Sequence, residues 1–235
     1  MKTAIRGARP RSAAGLPALS PDQVVDAAIR LTEEHGLDGW TIRQLAAAIR
    51  AWPAVVYHHV GDREAVVDAV LQSVVAGMPV PADDLPWRDW WHRFLVDGRA
   101  TLRRYRGVAR RLATRGPTVP AMLAIADHGI RVLRRAGFGA ESSDVYQVLV
   151  SSSFLMVALE DEWAADPSLR SRTAAVLAAH RDREDMPGLA ALASLWHRTC
   201  NDQETLRARD EWFFGYAVDR ALDAVQVRLD ILTAK

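Results

Sequence analysis

Two short helices separated by a brief turn are predicted over residues 41–59, and this segment constrains the fold more than any other. Residues 41–44, Thr-Ile-Arg-Gln, form a capping box, which places a helix start directly after Thr41. Pro53 fits only the first turn of a helix, so a second helix begins there and runs to about residue 59. Ala46 is small enough to let the helices cross closely, and Val56 can anchor the second one. This spacing is typical of a helix-turn-helix, whose second helix enters the DNA major groove.

The rest of the sequence also predicts helices, and the fold class is therefore all-α. A capping box at residues 20–23 opens a helix over 21–35, and Asp62 caps another that runs to about residue 76. After a proline-rich hinge at 78–81, apolar residues recur at helical spacing. This pattern predicts six further helices, at about 86–104, 106–114, 118–136, 141–164, 189–200 and 203–231. Residues 165–188 are polar and charged with one weak helical stretch, so we expect a partly flexible connection there.

Composition narrows the class of protein. The single cysteine, Cys200, excludes a disulfide framework. No apolar run reaches the roughly 18–20 residues of a membrane span. The N-terminus lacks the apolar stretch of a secretion signal, so we expect a cytoplasmic protein with no membrane contact. Because no glycine-rich phosphate loop, nucleophile elbow or zinc motif is present, we expect no enzyme activity, no cofactor and no metal site.

Residues 19–71 resemble the N-terminal domain of the tetracycline-repressor (TetR) family of bacterial transcription regulators. The matching stretches are TIRQLAAAI (41–49), PAVVYHHV (53–60) and DREAVVDAVL (62–71), with Tyr57 and His59 as the most specific part. Weaker similarity continues through RRAGFGAES (134–142), FLMVALEDE (154–162) and EWFFGYAVDRAL (211–222). We therefore expect a flexible basic arm at 1–18, a helix-turn-helix domain at 19–77, and a ligand-binding and dimerisation domain at 78–235.

DNA contacts are expected from the second helix, the turn and the third helix. Arg43 can pair with guanine or with a phosphate, and the hydroxyls of Thr41 and Tyr57 suit phosphate oxygens. Trp52 leads an apolar tip that can touch thymine methyl groups, with core packing as the alternative for Trp52 and Val55. The full set of expected DNA-binding residues is Thr41, Ile42, Arg43, Trp52, Pro53, Ala54, Val55, Tyr57, His58 and Arg63.

Two positions depart from the family's pattern. Arg50 stands where the family usually has a glycine in the turn, and a positive φ there costs arginine roughly 1 kcal/mol. Trp52 stands where a serine or threonine usually caps the third helix, and losing such a cap costs about 1 kcal/mol. Residues 20–78 contain four arginines and eight acidic residues. None of these acids lies within 40–61, so the DNA-facing surface can still be positive.

The helices predicted at about 141–164 and 203–231 are apolar around most of their circumference. Such helices are buried on several sides. We therefore expect them to form a two-fold four-helix bundle between two copies of the chain, with the core of a monomer as the alternative.

In the family that this chain resembles, the C-terminal body binds a small molecule that alters DNA binding. Candidates here are aromatic side chains and the few polar groups on apolar helices. They are Trp91, Phe94, Ile125, His128, Gln147, Ser151 and Leu155. Tetracycline is not the expected ligand: Glu160 matches an acid of tetracycline-binding relatives, but Arg111 replaces their magnesium-associated histidine.

The sequence thus predicts a homodimeric regulator that represses by binding a palindromic operator on double-stranded DNA. A small, largely apolar effector would release it. A helical small-molecule-binding or scaffold protein with a head that no longer reads DNA remains the alternative. A helical enzyme has no positive support in the sequence.

Overall fold

The computed structural model describes residues 19–199 and 202–234, and these residues form helices with no strand. The basic arm expected at 1–18 and the side chain of Cys200 lie outside the described residues. In chain order, the helices are α1 (Pro21–His35), α2 (Ile42–Ala48), α3 (Pro53–His59), α4 (Arg63–Ala76), α5 (Trp87–Leu102), α6 (Val108–Arg115), α7 (Pro120–Ala136), α8 (Ser142–Ala165), α9 (Ser168–Ala178), α10 (Pro187–Thr199) and α11 (Gln203–Thr233). The all-α prediction is confirmed.

The first helices begin where the sequence places side-chain caps. At α1 the Ser20 hydroxyl accepts the backbone N–H of Gln23 at 3.3 Å, and the side-chain Oε1 of Gln23 accepts the backbone N–H of Ser20 at 3.2 Å. Thr41 and Gln44 form the same reciprocal pair at α2. At α4 the Asp62 carboxylate accepts a backbone N–H from the first turn at 2.9 Å. These caps satisfy donors that a helix cannot satisfy itself, which is why local sequence sets these boundaries.

One compact unit contains residues up to Val80 together with Asp97–Gly129. We call its residues 19–77 the head. In the head α1 packs on α4 and α2 packs on α3. Downstream residues bind the last turn of α1 and the loop after it: the Arg104 guanidinium donates to Glu33 at 3.0 Å, and Leu37 N–H donates to the carbonyl of Arg106 at 2.8 Å. The connection between α5 and α6 is therefore part of the packing that holds the head.

The second compact unit contains Pro81–Val96 and the chain from Ile130 onward. Here α8 packs along α11, and α9 packs on α8 and α10. The Trp91 ring meets the Tyr146 ring edge-on at 6.0 Å between centroids. Arg88 pairs with Asp223 at 2.5 Å, which joins the start of α5 to α11.

The structure corrects the expectation for residues 165–188, which form α9 and the start of α10. Seven helices rather than six therefore follow the hinge. The anchor of α9 is Arg170, which is only 9% exposed. Its guanidinium makes two bonds to the carboxylate of Asp210, at 3.0 and 2.9 Å, and lies 4.0 Å from the Trp163 ring. Because α9 is held by an ion pair to the distant Asp210, its sequence needs no regular apolar spacing. This explains why the helical pattern of residues 165–188 is weak.

One described helix, counted from Gly139 to Ala165, is long and apolar enough to cross a membrane by length and composition alone. Half of its most apolar 18-residue window is buried inside the protein. Its buried side carries large side chains such as Leu149, Phe154 and Val157. This burial is what a core helix shows.

Candidate DNA interface and effector site

The α2–turn–α3 segment has the close packing that a helix-turn-helix needs. Ala46 and Val56 are both buried, as expected for the crossing point and for the anchor of α3. Arg50 has φ +52°, the only positive φ at a described residue other than glycine. Trp52 occupies the cap position of α3 and makes no side-chain capping bond. The two departures from the family's pattern thus give a positive φ at Arg50 and a third helix without a side-chain cap.

Most of the residues expected to contact DNA are accessible. Trp52 is 51% exposed and Tyr57 is 53% exposed, so Trp52 is not a core residue. Thr41, Arg43, Ala54 and His58 are also exposed, whereas Pro53 and Val55 are half-buried. These residues belong to the start of α2, the cap position and α3, so that accessible hydroxyl, guanidinium, imidazole and apolar groups all lie on one helix-turn-helix.

Two of the residues expected to contact DNA are less accessible than the others. Ile42 is 8% exposed, because its side chain packs in the core of the head. Arg63 is half-buried, and its guanidinium donates to the carbonyl of Leu37 at 2.9 Å and stacks over the Trp40 ring at 5.1 Å. We therefore assign Arg63 to holding the loop after α1 rather than to phosphate.

Acidic residues of the head are partly neutralised away from the α2–α3 surface. The Glu64 carboxylate accepts from Arg111 and, at 2.8 Å, from Arg115, both on α6. These two guanidinium groups lower the pKa of Glu64, mainly through the hydrogen bond from Arg111. Among the described residues neither Arg43 nor Arg50 forms an ion pair, and both side chains are exposed on this segment.

An aromatic interior in the second unit contains two of the expected effector residues. Trp91 and Phe94 are fully buried, with 5.8 Å between their ring centroids. In the described residues the Trp91 indole N–H and the Tyr146 hydroxyl have no hydrogen-bond partner, although both are buried. Burial raises the pKa of Tyr146 to about 12. Two unsatisfied polar groups among aromatic rings make this interior the candidate effector site.

Tyr146 is a residue that sequence reasoning missed. It lies on α8, where the sequence analysis assigns the apolar residues to dimer contact and names only Gln147, Ser151 and Leu155 as effector candidates. The signal in the sequence is that Tyr146 is a phenol among aliphatic residues of that helix. That its hydroxyl has no partner follows only from the packing of α5 against α8.

Three other effector candidates lie on the outer face of α8, away from this interior. Gln147 and Leu155 are exposed, Leu155 at 52%, and Ser151 is half-buried beside them on α8. The Gln147 amide donates to the Ser151 hydroxyl at 2.7 Å, so the polar pair satisfies itself on the outer face of the helix. Helical spacing correctly put them on one face, but that face is opposite to the buried one.

The last two candidates, Ile125 and His128, lie on the part of α7 that belongs to the first unit. Ile125 is buried and His128 is half-buried. Across residues 19–199 and 202–234, no group of three or more His, Cys, Asp and Glu side chains is arranged to hold a metal ion.

Comparisons with known proteins cover both parts of the chain. Residues 24–70 match the family described as bacterial regulatory proteins, tetR family, and residues 80–206 match the tetracyclin repressor-like C-terminal domain. An HTH-type transcriptional regulator of Saccharopolyspora erythraea is 31% identical, covering 74% of this chain and 75% of the relative. The class A tetracycline repressor from transposon 1721 of Escherichia coli is 33% identical, covering 66% of this chain and 72% of the repressor.

A solved structure supports the same fold. The Streptomyces coelicolor TetR family protein ActR, crystallised with actinorhodin, superposes with a TM-score of 0.69 and 23% identity, covering 88% of this chain and 98% of ActR. The chain belongs to the tetR family of bacterial regulatory proteins and is a ligand-responsive, DNA-binding transcriptional regulator, not an enzyme.

Proposed function

We propose that this regulator is a cytoplasmic repressor that binds a palindromic operator as a homodimer and is released by a small, largely apolar effector. The observation that carries the proposal is the α2–turn–α3 surface. Arg43, Tyr57 and His58 are exposed there, and the stretch 40–61 contains no carboxylate. Such a surface can approach phosphates without repulsion and offers side chains for base edges.

The outer faces of α8 and α11 support the homodimer. Large apolar side chains are exposed along both helices, which are neighbours within the second unit. They are Val148, Leu155 and Leu159 on α8, and Trp212, Tyr216, Val227 and Ile231 on α11. Exposed large apolar side chains on two neighbouring helices favour an association surface. Pairing it across a two-fold axis would give a four-helix bundle and would present two α3 helices to one turn of DNA, about 34 Å apart.

The aromatic interior around Trp91 and Tyr146 supports an apolar effector. Each of its unpartnered buried donors costs roughly 1–3 kcal/mol. An effector with a carbonyl or ether oxygen would accept from the indole N–H and the phenol. Because its pKa is raised, the Tyr146 hydroxyl remains protonated and is a donor at neutral pH. These contacts favour an aromatic or polycyclic molecule with few polar atoms.

The ion pairs between α4 and α6 link α6 physically to the head. Glu64 follows the cap of α4 and accepts from two arginines of α6. Leu37, in the loop after α1, is bonded to Arg106 just before α6. A shift of α6 would therefore act both on this loop and on the start of α4. An effector that favours one position of α6 would change DNA affinity by population shift.

The experiment is selection of binding sites from a random DNA library at two salt concentrations, with protein refolded to remove any bound ligand. We expect a palindromic motif with a steep loss of affinity at higher salt. On that motif, Arg43→Ala should weaken binding by at least about tenfold, the scale of one charged base or phosphate contact. Arg30→Ala removes the same charge from the exposed side of α1 and is the matched control, expected to change affinity less than about twofold.

Failure of selection at low salt would reject the DNA-reading proposal and favour a helical small-molecule-binding protein. Equal losses for the two arginine variants would show that binding depends on net charge rather than on the α2–α3 surface.

A further inference from the structure

A cleft of about 250 Å³ lies in the second unit, away from the Trp91 and Tyr146 interior. It is formed by the end of α8 together with α9, α10 and α11. The lining side chains that matter here are Trp163, Arg170, Leu195, Trp196, Arg209 and Phe213. The volume falls just below the roughly 300–1,000 Å³ typical of small-molecule sites, which limits a ligand to one or two fused rings.

The walls of this cleft are large apolar side chains that are only partly covered. Trp163, Leu195 and Trp196 are half-buried, and Leu192 and Phe213 stand exposed at the rim. Aromatic rings from three different helices therefore converge on one space without filling it. A flat apolar ligand would cover these surfaces and gain the corresponding hydrophobic and stacking energy.

Of the two arginines in the cleft, Arg170 is already neutralised. Both Asp210 oxygens accept from its guanidinium, and its flat side lies against Trp163. The side chains of this pair are 10% and 20% exposed. It is part of the floor of the cleft, and it contributes no net charge to a ligand.

Arg209 is different. Its guanidinium carbon lies 4.4 Å from the Trp212 ring centroid and 5.4 Å from that of Phe213, and the residue is half-buried. Within the described residues it forms no ion pair with a carboxylate. Stacking occupies the flat face of a guanidinium and leaves its N–H edge available, which is the geometry that receives a carboxylate with two parallel bonds.

We propose that this cleft is a second small-molecule site and that it binds a planar aromatic carboxylate. The ring would lie among Trp163, Trp196 and Phe213, and the carboxylate would pair with Arg209. A neutral ring would leave the Arg209 guanidinium, which has no carboxylate partner among the described lining residues, without a counter-charge. A cationic ring would be repelled by the same guanidinium. The site is independent of the effector interior and does not rest on the DNA-binding proposal.

The test is calorimetric titration of the full-length protein with 2-naphthoate, using the isosteric alcohol 2-naphthalenemethanol as the neutral probe. We expect 2-naphthoate to bind saturably and at least about tenfold more tightly than the alcohol, as a charge-assisted bidentate contact predicts. Arg209→Gln should remove that difference by weakening the carboxylate alone. Arg207→Gln, which loses the same charge at an exposed position of α11, is the matched control and should bind like the wild type.

A second variant distinguishes a specific loss of binding from unfolding of the protein. Leu192→Glu places a negative charge at an exposed position on the rim and should weaken 2-naphthoate while sparing the alcohol. Circular dichroism melting confirms that each variant is folded. The proposal is overturned if 2-naphthoate does not bind, if both probes bind equally, or if the Arg207 and Arg209 variants lose the same affinity.

Discussion

Arg50 shows how a single residue can carry strain at a functional surface. Its φ of +52° belongs to the region where a Cβ crowds the backbone, and its side chain is exposed. No ion pair within the described residues offsets this strain. A glycine would relieve the backbone but would remove positive charge beside α3. The conformation therefore favours a role for the guanidinium at the DNA surface.

Arg50→Gly should therefore stabilise the protein by about 0.5–1 kcal/mol, because the positive φ no longer opposes a side chain. Operator affinity should fall in the same variant. Arg50→Ala separates the two effects, since alanine loses the charge but keeps the strained Cβ. Urea unfolding measures the stabilities. Equal stability of the two variants would show that Arg50 carries no backbone strain.

Sequence reasoning at single residues succeeds where the physics is local. The caps at Ser20, Thr41 and Asp62 depend on groups three residues apart, and each forms as expected. It fails where the deciding contact is distant. Ile42 lies beside the exposed Arg43, yet its side chain turns into the core, and only the packing of α2 reveals this.

At the scale of helices, the contact between α4 and α6 depends on ionisation. The pKa of Glu64 is lowered from its ordinary value of 4.5 by the hydrogen bonds from Arg111 and Arg115. A carboxylate whose pKa is lower in the folded state stabilises the fold above its unfolded pKa. That contribution is lost as the pH falls through the folded pKa.

Glu64→Gln should accordingly reduce stability at pH 7 and have progressively less effect below pH 4.5. Because Glu64 is half exposed, the effect at pH 7 should be small. Asp68→Asn is the matched control, since Asp68 is exposed on the same helix and forms no ion pair among the described residues. Urea unfolding at several pH values gives the comparison. A Glu64 effect that grows toward low pH would contradict the assignment.

The start of α3 is an unusual helix terminus, since Trp52 supplies no side-chain oxygen. Trp52→Ser should form the missing cap and be about 1 kcal/mol more stable than Trp52→Ala, which cannot cap. Both variants lose the exposed indole, so both should bind the operator equally weakly. Thermal unfolding and DNA titration of the pair give the two readouts. No stability difference would mean that α3 begins without need of a cap.

Helix positions are the best-predicted feature of the chain, because caps, glycines and prolines mark their ends locally. The predicted bounds differ from the observed ones by at most two residues wherever a helix was predicted. The exception is α9, which was predicted as a connection. Its key contact joins Arg170 to Asp210, and no pattern within the helix encodes that pairing.

At the scale of the whole molecule, the exposed apolar side chains of α8 and α11 favour association with a second copy of the chain. Leu155→Glu should convert a dimer into a monomer, because burying one charge at such a surface costs several kcal/mol. Operator binding should be lost with it. Val176→Glu makes the same change at an exposed apolar position on α9 and should leave the dimer intact. Light scattering distinguishes the two. A Leu155→Glu protein that remains dimeric would place the interface elsewhere.

The sequence predicts the family and the all-α class of the whole chain, since these depend on motifs and periodicity. The burial of the effector candidates is harder to predict from the sequence. Trp91 and Phe94 are buried together, whereas Gln147, Ser151 and Leu155 face outward. Periodicity places residues on a common face of a helix, but which face is buried depends on neighbouring helices that are distant in sequence.

The bonds between the head and the arginines that follow the hinge limit where two such regulators can be joined into a chimaera. Leu37 and Glu33 are held by Arg106 and Arg104, and Glu64 is held by Arg111 and Arg115. All four arginines are encoded after the proline-rich hinge. A gene fusion joined at the hinge would connect the head to the C-terminal domain of another regulator, which would lack these arginine partners. Functional chimaeras should instead place the crossover point after α6. The head is then transferred together with the arginines that support it.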